Sequence, residues 1–411
     1  MRKRMIRLLS LFAAAFAFVS CDSEQGIKLE KGNDNPNLVS IEEAMANADA
    51  MYSKVYGGTR SGRKPSGVIR FRSRMTRGEG NADSEGYYIV NYSEGGFSLL
   101  SADRRDMNRV YAISNEGALH LTDTVGNPGL SMYINDILPM LTNTIGAPSP
   151  DKYPIDSLRP IDPGWSYYKK HSDPLLTGFL ARFHQFSPYN HYCNTGAPDY
   201  KPQYVGCVPL AVGTVMGYHK WPQSLDGYTF DWDAMRNSAD DLRWARLFKI
   251  LGGPEYTNVS YGVVGSGKGT GITLHSTPTA LVNAFANANY IGGQVASFSS
   301  FHINYELENQ NPIICWGSSV KYKQAHTWVI DGGYTTGSLE YSVTPEDDNR
   351  KVYRSYYHCV WGWNGASNGY YLYSGNTGII GGDIEKGDPI YGISAEKYDN
   401  LQIYYGYRPN K

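Results

Sequence analysis

Apolar positions along the chain fall into distinct regimes. A largely apolar run, Leu8 to Val19, follows Arg2, Lys3, Arg4 and Arg7 and ends on Ser20 and Cys21. It is too short to span a bilayer as a permanent helix, so residues 1–21 read as a secretion signal. Residues 22–37 are polar and rich in Gly and Asn, the composition of a tether. Ser40, with Glu43 three positions on and then Ala44, Met45 and Ala48, predicts a capped helix. Tyr87–Tyr92 and Phe97–Ala102, separated by Glu94-Gly95-Gly96, predict a hairpin. Val110–Ile113 predicts a further strand and residues 130–141 an amphipathic helix, completing a first α+β unit over 38–145. Within it, residues 60–80 are basic, Gly-rich and without period, as in an exposed insertion.

Residues 146–174 carry Pro148, Pro150, Pro154, Pro160 and Pro163 and lose regular periodicity, which predicts an accessible linker open to proteolytic nicking. In the second unit, 175–411, helical spacing begins at Cys207, and strands are predicted over 313–317, from His326 onward, and over 355–360. No repeat suggests a solenoid or propeller.

A length of 411 residues accommodates two cores. The formal net charge of -1 gives no electrostatic reason to expect nucleic acid or an anionic membrane surface as partner. With 34 Tyr, 45 Gly and only 19% charged residues, the chain leans toward a β-rich, extracytoplasmic protein. A small residue followed by Cys at the end of the signal resembles a bacterial lipoprotein signal, which makes Cys21 the expected lipid anchor; an ordinary signal peptide with a neighbouring cysteine is the alternative. Setting aside Cys21 and Cys207, the remaining Cys193, Cys315 and Cys359 are odd in number, so no full disulfide framework is expected, and one disulfide among them stays open. His184, His191 and Cys193 lack the paired spacing of a zinc site, and no metal or cofactor is expected. Gly262 to Gly269 nearly spells a phosphate-binding loop but has Gly269 where Ser or Thr should hold magnesium, so it reads as a glycine-rich loop.

Gly206-Cys207-Val208-Pro209 puts a thiol at a helix start, where the positive dipole end and free N–H groups favour thiolate and can also stabilise an oxyanion. Position alone leaves open a small buried cysteine. His326 opens a strand of mainly apolar residues, where a base can reach a cleft while the sheet holds its backbone. Trp361 and Trp363, flanked by Gly362 and Gly365, suit rings that shield a hydrogen-bonded pair, or simply core filling.

Pro188-Tyr189-Asn190, Gly206-Cys207-Val208, Tyr218-His219-Lys220-Trp221-Pro222, Ala325 to Gly332 and Trp361-Gly362-Trp363 together resemble the streptopain family of papain-like bacterial cysteine proteases. Tyr88 to Tyr92, Gly95-Gly96-Phe97 and Leu100 to Asp103 resemble the central hairpin of that family's propeptide. The resemblance implies an α+β papain-like fold of two subdomains over 175–411, a helical half plus an antiparallel β-sheet half, preceded by a small α+β inhibitory prodomain. It implies a zymogen in which Cys207 attacks a peptide carbonyl after proton exchange with His326, with Trp361 orienting and shielding the base. The expected partners are protein or peptide substrates and the chain's own prodomain, with membrane contact only through the lipid anchor of an exported, cell-envelope protein. The oxyanion glutamine that the resemblance implies six residues before the nucleophile falls on Lys201. Gln203 is the nearest replacement and Gln185 another candidate. Thr327-Trp328 is bulkier than the pattern after the histidine and is expected to narrow the cleft. The rival reading is a catalytically silent surface protein that binds peptide or glycan on the same fold.

Overall fold

The computed structural model describes residues 35–57, 63–72, 85–106, 108–142, 166–196, 198–319, 324–340, 350–375 and 401–411. The signal-like segment with Cys21, most of the expected tether and linker residues 146–165 lie outside them.

In the first unit, helix α1 (Ile41–Tyr56) begins as its sequence requires, with the Ser40 hydroxyl accepting from the Glu43 N–H at 3.2 Å. Instead of reaching back to the cap, the Glu43 carboxylate pairs with Arg104 at 2.8 Å. Strands β1 (Pro65–Phe71), β2 (Tyr87–Tyr92), β3 (Phe97–Ser101) and β4 (Val110–Ser114) form an antiparallel meander against α1. The β1 strand corrects the expectation of an unstructured insertion over 60–80. Pairing with β2 and the buried ion pair of Arg70 with Glu85 hold a segment whose exposed residues hide its period. Helix α2 (Pro128–Met132), capped by the Asn127 side chain on the Leu130 N–H at 3.1 Å, continues through one π-helical turn into Leu138–Thr142.

Strand β5 (Ser166–Ser172) belongs to the expected linker, and this is a second correction. It pairs antiparallel with the long strand β8, introduced below, and is pinned by a buried histidine: His171 Nδ1 lies 2.6 Å from Glu308 and Nε2 lies 2.9 Å from the Thr335 hydroxyl. Two lysines and a histidine in a row conceal a strand whose stability comes from tertiary pairing.

The helical half is built on α3 (Cys207–His219) and α4 (Leu242–Leu251), joined later in the chain by α5 (Thr277–Asn287). Gly213 and Gly217 lie one turn apart on α3. A Cβ on Gly213 would come within 2.6 Å of Phe248, and one on Gly217 within 2.8 Å of Trp244, so these glycines set how closely α4 approaches. The sheet half comprises β6 (Gln294–Ser297), helix α6 (Ser300–Glu308), β7 (Ile313–Ser319), β8 (Gln324–Glu340), β9 (Arg350–Val360), β10 (Gly369–Gly375) and β11 (Leu401–Tyr405).

Strand order is β1-β2-β3-β4-β10-β9-β8-β7-β11-β6, with β5 added to β8, so one antiparallel sheet runs through both units. The splice is β4 on β10, where Ile113 faces Tyr370 and Ala112 faces Tyr371. Tyr133 closes it by donating to the Tyr111 and Leu372 carbonyls at 3.1 and 2.9 Å, while Tyr356 donates to Val110 and Arg354 to Asn108, both at 2.8 Å. One buried cluster joins Leu99, Tyr133 and Leu138 to Trp328, Trp361 and Tyr371. A second joins Val208, Val212 and Phe248 to Trp316 and Val329. The sheet therefore separates a core shared with the first unit from the core of the helical half. Cys193, Cys207, Cys315 and Cys359 are free thiols.

Tyr133→Phe removes a hydroxyl that serves both sides of the splice, and it is expected to lower the stability of the full chain by about 1–2 kcal/mol. A urea midpoint equal to that of the wild type would remove Tyr133 from this role.

Candidate active site

Cys207 is the first residue of α3. The chain reaches it through Gly206 at φ 98°, a backbone that disfavours a side chain, and a Cβ there would also lie 2.9 Å from Thr270. Gln185 sets this entry: its carbonyl accepts from the Val205 N–H at 3.2 Å, and its Oε1 accepts from the Gly206 N–H at 3.1 Å. That leaves the amide nitrogen of a buried Gln185 as a donor beside the nucleophile candidate. Gln203 is held through its backbone, bonded to Cys193 and bridged to Val263. The glycine-rich loop after Gly262 docks on this segment, with the Val264 N–H bonded to the Pro202 carbonyl, and it enters no helix of the phosphate-binding kind.

Burial pushes the Cys207 thiol above its ordinary pKa, opposed by the polar groups of Thr327 and of the α3 start, which favour the thiolate. The helix start favours thiolate, but burial outweighs it in this closed arrangement and the thiol form is favoured, unlike the expectation from position alone.

His326 lies on β8, opposite Gly317 of β7. Successive strand residues face opposite sides of a sheet. Trp316, opposite Thr327 on β7, and Val329, two residues beyond Thr327, belong to the α3 core. Trp328, two residues beyond His326, belongs to the core shared with α2. The His326 ring is stacked at 11° to Trp328, with centroids 6.3 Å apart, and its Nε2 donates to the Trp361 carbonyl at 2.8 Å. Burial holds this imidazole down to a pKa of about 4, with the Trp361 carbonyl opposing the shift. The first unit forms the cover: a Cβ on Gly129 of α2 would fall 2.7 Å from His326 Cδ2 and 2.6 Å from the Trp361 ring. Trp361 is itself fixed, its indole donating to the Ser367 carbonyl at 3.0 Å and its N–H to Asn368 at 3.1 Å.

Cys207 and His326 therefore stand on neighbouring elements, with the imidazole turned to the opposite face from the thiol, and Trp361 lies beside His326. Sequence reasoning missed Gly129, whose signal is a glycine next to Pro128 at a helix start. The aromatic surroundings extend to Trp363, 6.4 Å from His326, and Phe186, 6.1 Å from Trp363. Among the described residues no group of His, Cys, Asp and Glu could hold a metal ion.

Comparisons with known proteins match two separate stretches of the chain. Residues 183–371 match the model of the Peptidase C10 family, and residues 36–138 match that of the Spi protease inhibitor. No curated protein matches. Among solved structures, a fragment of prointerpain A from Prevotella intermedia is 19% identical at a TM-score of 0.48, covering 79% of this chain and 96% of its own. Active wild-type interpain A cysteine protease from the same organism is 18% identical at a TM-score of 0.37, covering 63% of this chain and 98% of its own.

With its folded pKa below the ordinary 6.5, His326 binds fewer protons in the closed chain than in the unfolded one. Its contribution therefore makes the closed arrangement lose stability as pH falls from 6.5 toward 4. In an NMR titration of the full chain, the imidazole is expected to stay neutral down to about pH 4. Gly129→Val, which forces α2 off the ring, is expected to move that midpoint up toward 6.5. An unchanged midpoint in the variant would mean that α2 is not what buries the imidazole.

Proposed function

As a member of the Peptidase C10 family with a Spi-type inhibitor domain ahead of the protease domain, this chain is a cysteine protease made as a zymogen, and we propose that Cys207 is its nucleophile and His326 its base. The observation that carries the assignment is Cys207 as the first residue of α3, reached through Gly206, whose N–H is held by Gln185, with the strand that bears His326 packed against that helix.

In the active enzyme the Cys207 proton passes to His326, and the thiolate adds to the peptide carbonyl. The Cys207 N–H and the Gln185 amide hold the resulting oxyanion. The imidazolium returns its proton to the leaving amine, and water then hydrolyses the thioester with His326 again taking a proton. Gln185 is assigned the oxyanion role in preference to Gln203 because it is the side chain bonded at Gly206.

Activation requires the imidazole to come round the start of β8 to the thiol, and the α2 cover over His326 is what opposes this. The maturation cut falls within 146–165. Downstream, β5 is tied to β8, the Leu176 N–H donates to Asp331 Oδ2 at 2.8 Å and the Leu175 N–H to the Asp331 carbonyl at 2.9 Å, so this stretch stays with the enzyme. The protein is exported and anchored at the cell envelope through lipid on Cys21, a reading supported by the basic and apolar pattern ahead of that residue.

After cleavage of the linker, Gln185→Ala is expected to lower kcat on a peptide substrate about 10²–10³-fold, and Cys207→Ala to abolish turnover and the processing of its own precursor. Gln203→Ala is expected to stay within a few-fold of wild type. The reverse order for the two glutamines would transfer the oxyanion role to Gln203. A folded, cleaved wild type that neither cuts protein nor reacts at Cys207 would favour a silent peptide-binding surface protein. Palmitate label in the wild type but not in Cys21→Ala, each expressed in a bacterial host, checks the anchor.

A further inference from the structure

The turn between β9 and β10 is tied by a side chain to the helical half. Asn368, the residue before β10, is partly buried, and its amide is bonded at both ends: Oδ1 accepts from the Trp361 N–H at 3.1 Å, and Nδ2 donates to the Ala181 carbonyl at 2.8 Å. A backbone donor on one side and a backbone acceptor on the other fix which way the amide lies. The two partners belong to different parts of the enzyme. Trp361 is the residue whose carbonyl holds the His326 imidazole, and Ala181 lies in the 3-10 turn Gly178–Arg182, shortly before Gln185. Other contacts follow the same seam. The Asn364 N–H is bonded to the Phe183 carbonyl at 3.4 Å, His184 and Trp363 form an isolated antiparallel bridge, and a Cβ on Gly362 would come within 2.9 Å of Leu210 on α3. Gln185 carries the tie on to the nucleophile through its bond with the Gly206 N–H at 3.1 Å.

We infer that Asn368 is a positioning residue that fixes Trp361 against the segment carrying Gln185, so that the oxyanion donor keeps its place relative to the base and the nucleophile. This rests on the reading of Cys207, His326 and Gln185 as the machinery of the protease. Every group in the tie lies downstream of the linker, so it belongs to the processed enzyme as well as to the precursor. An amide suits the place because it supplies one acceptor and one donor in a single short side chain. An aspartate of the same shape keeps the acceptor for the Trp361 N–H, loses the donor to Ala181 and sets an oxygen against that carbonyl. It therefore cuts the tie to the Gln185 segment while leaving the bond to Trp361.

The test is a double-mutant cycle on the linker-cleaved enzyme: wild type, Asn368→Asp, Asn368→Ala, Gln185→Ala and the Gln185→Ala/Asn368→Asp pair. For each, kcat and KM are measured on a peptide substrate and kcat is divided by the Cys207 thiol that iodoacetamide alkylates. Asn368→Asp is expected to lower kcat roughly tenfold with KM within about twofold of wild type, and Asn368→Ala at least as much, because alignment is lost and substrate binding is not. In the Gln185→Ala background Asn368→Asp is expected to cost less than about twofold, since the group it positions is gone. Asn368→Asp as active as wild type would overturn the inference and reduce Asn368 to a turn residue on the Trp361 N–H. Additive losses in the pair would also overturn it, since a general loosening of the fold takes no account of Gln185. If Asn368→Ala yields no folded enzyme, Asn368→Asp and the pair decide the question alone. A cleaved wild type that neither alkylates at Cys207 nor cuts peptide brings down the protease reading and this inference with it, and Gln185→Ala at the wild-type rate does the same for the oxyanion assignment.

Discussion

The hydrogen bond from His326 Nε2 to the Trp361 carbonyl is covered by α2, which can come this close to both rings because it approaches at a glycine. A neutral imidazole buried among tryptophans needs a partner, since an unpaired buried polar group costs about 1–3 kcal/mol. The carbonyl supplies it, and the Ser367 and Asn368 contacts hold Trp361 still enough for the bond to be well aligned. Substituting any side chain for Gly129 forces the helix away and lets water reach the ring. The inhibitor domain therefore lies over the proposed base: α2 covers the sheet face that carries the His326 imidazole, while Cys207 lies on the face toward α3.

The grip of α2 depends in turn on the splice between the two units. Because β4 continues the enzyme's own sheet at β10, the first unit is docked by backbone pairing as well as by side chains, and Tyr133, Tyr356 and Arg354 cross the seam from both directions. The shared aromatic core makes docking and folding of the first unit one process, with no separate interface of the polar, transient kind. On the other side of the linker, β5 is bound by the same device, strand addition to β8, with His171 and Asp331 as buried fasteners. A cut between the two attachments thus divides the chain into pieces that each keep their own part of the sheet.

What could be read from the sequence was local. The Ser40 cap, the Glu94-Gly95-Gly96 turn and the start of a helix at Cys207 are set by residues within one turn of each other, and all three appear as expected. Strands β1 and β5 were hidden because their side chains are mostly exposed or charged and their pairing partners lie elsewhere in the chain. At the site, Cys207 and His326 stood out by chemical type, but Gln185 could not be placed by counting back from the cysteine, since it reaches Gly206 across a loop. The orientation of His326 was partly legible: strand alternation already places Thr327 and His326 on opposite faces. Which of them faces the thiol was decided by the packing of Trp328 and Val329 into different cores.

That alternation also explains why both members of the proposed dyad are shifted away from ionisation together. Burial raises the thiol and lowers the imidazole, so each is driven to its neutral form while the other is out of reach. A thiolate–imidazolium pair becomes favourable only when the two groups meet, because the attraction of opposite charges then offsets both desolvation costs at once. Moving His326 to the thiol side therefore changes two protonation equilibria in a single step. The α3 end of that step is preorganised, with Gln185 holding the Gly206 N–H at the entry to the helix, so in the proposed activation the conformational work falls on the first residues of β8 and on the release of α2.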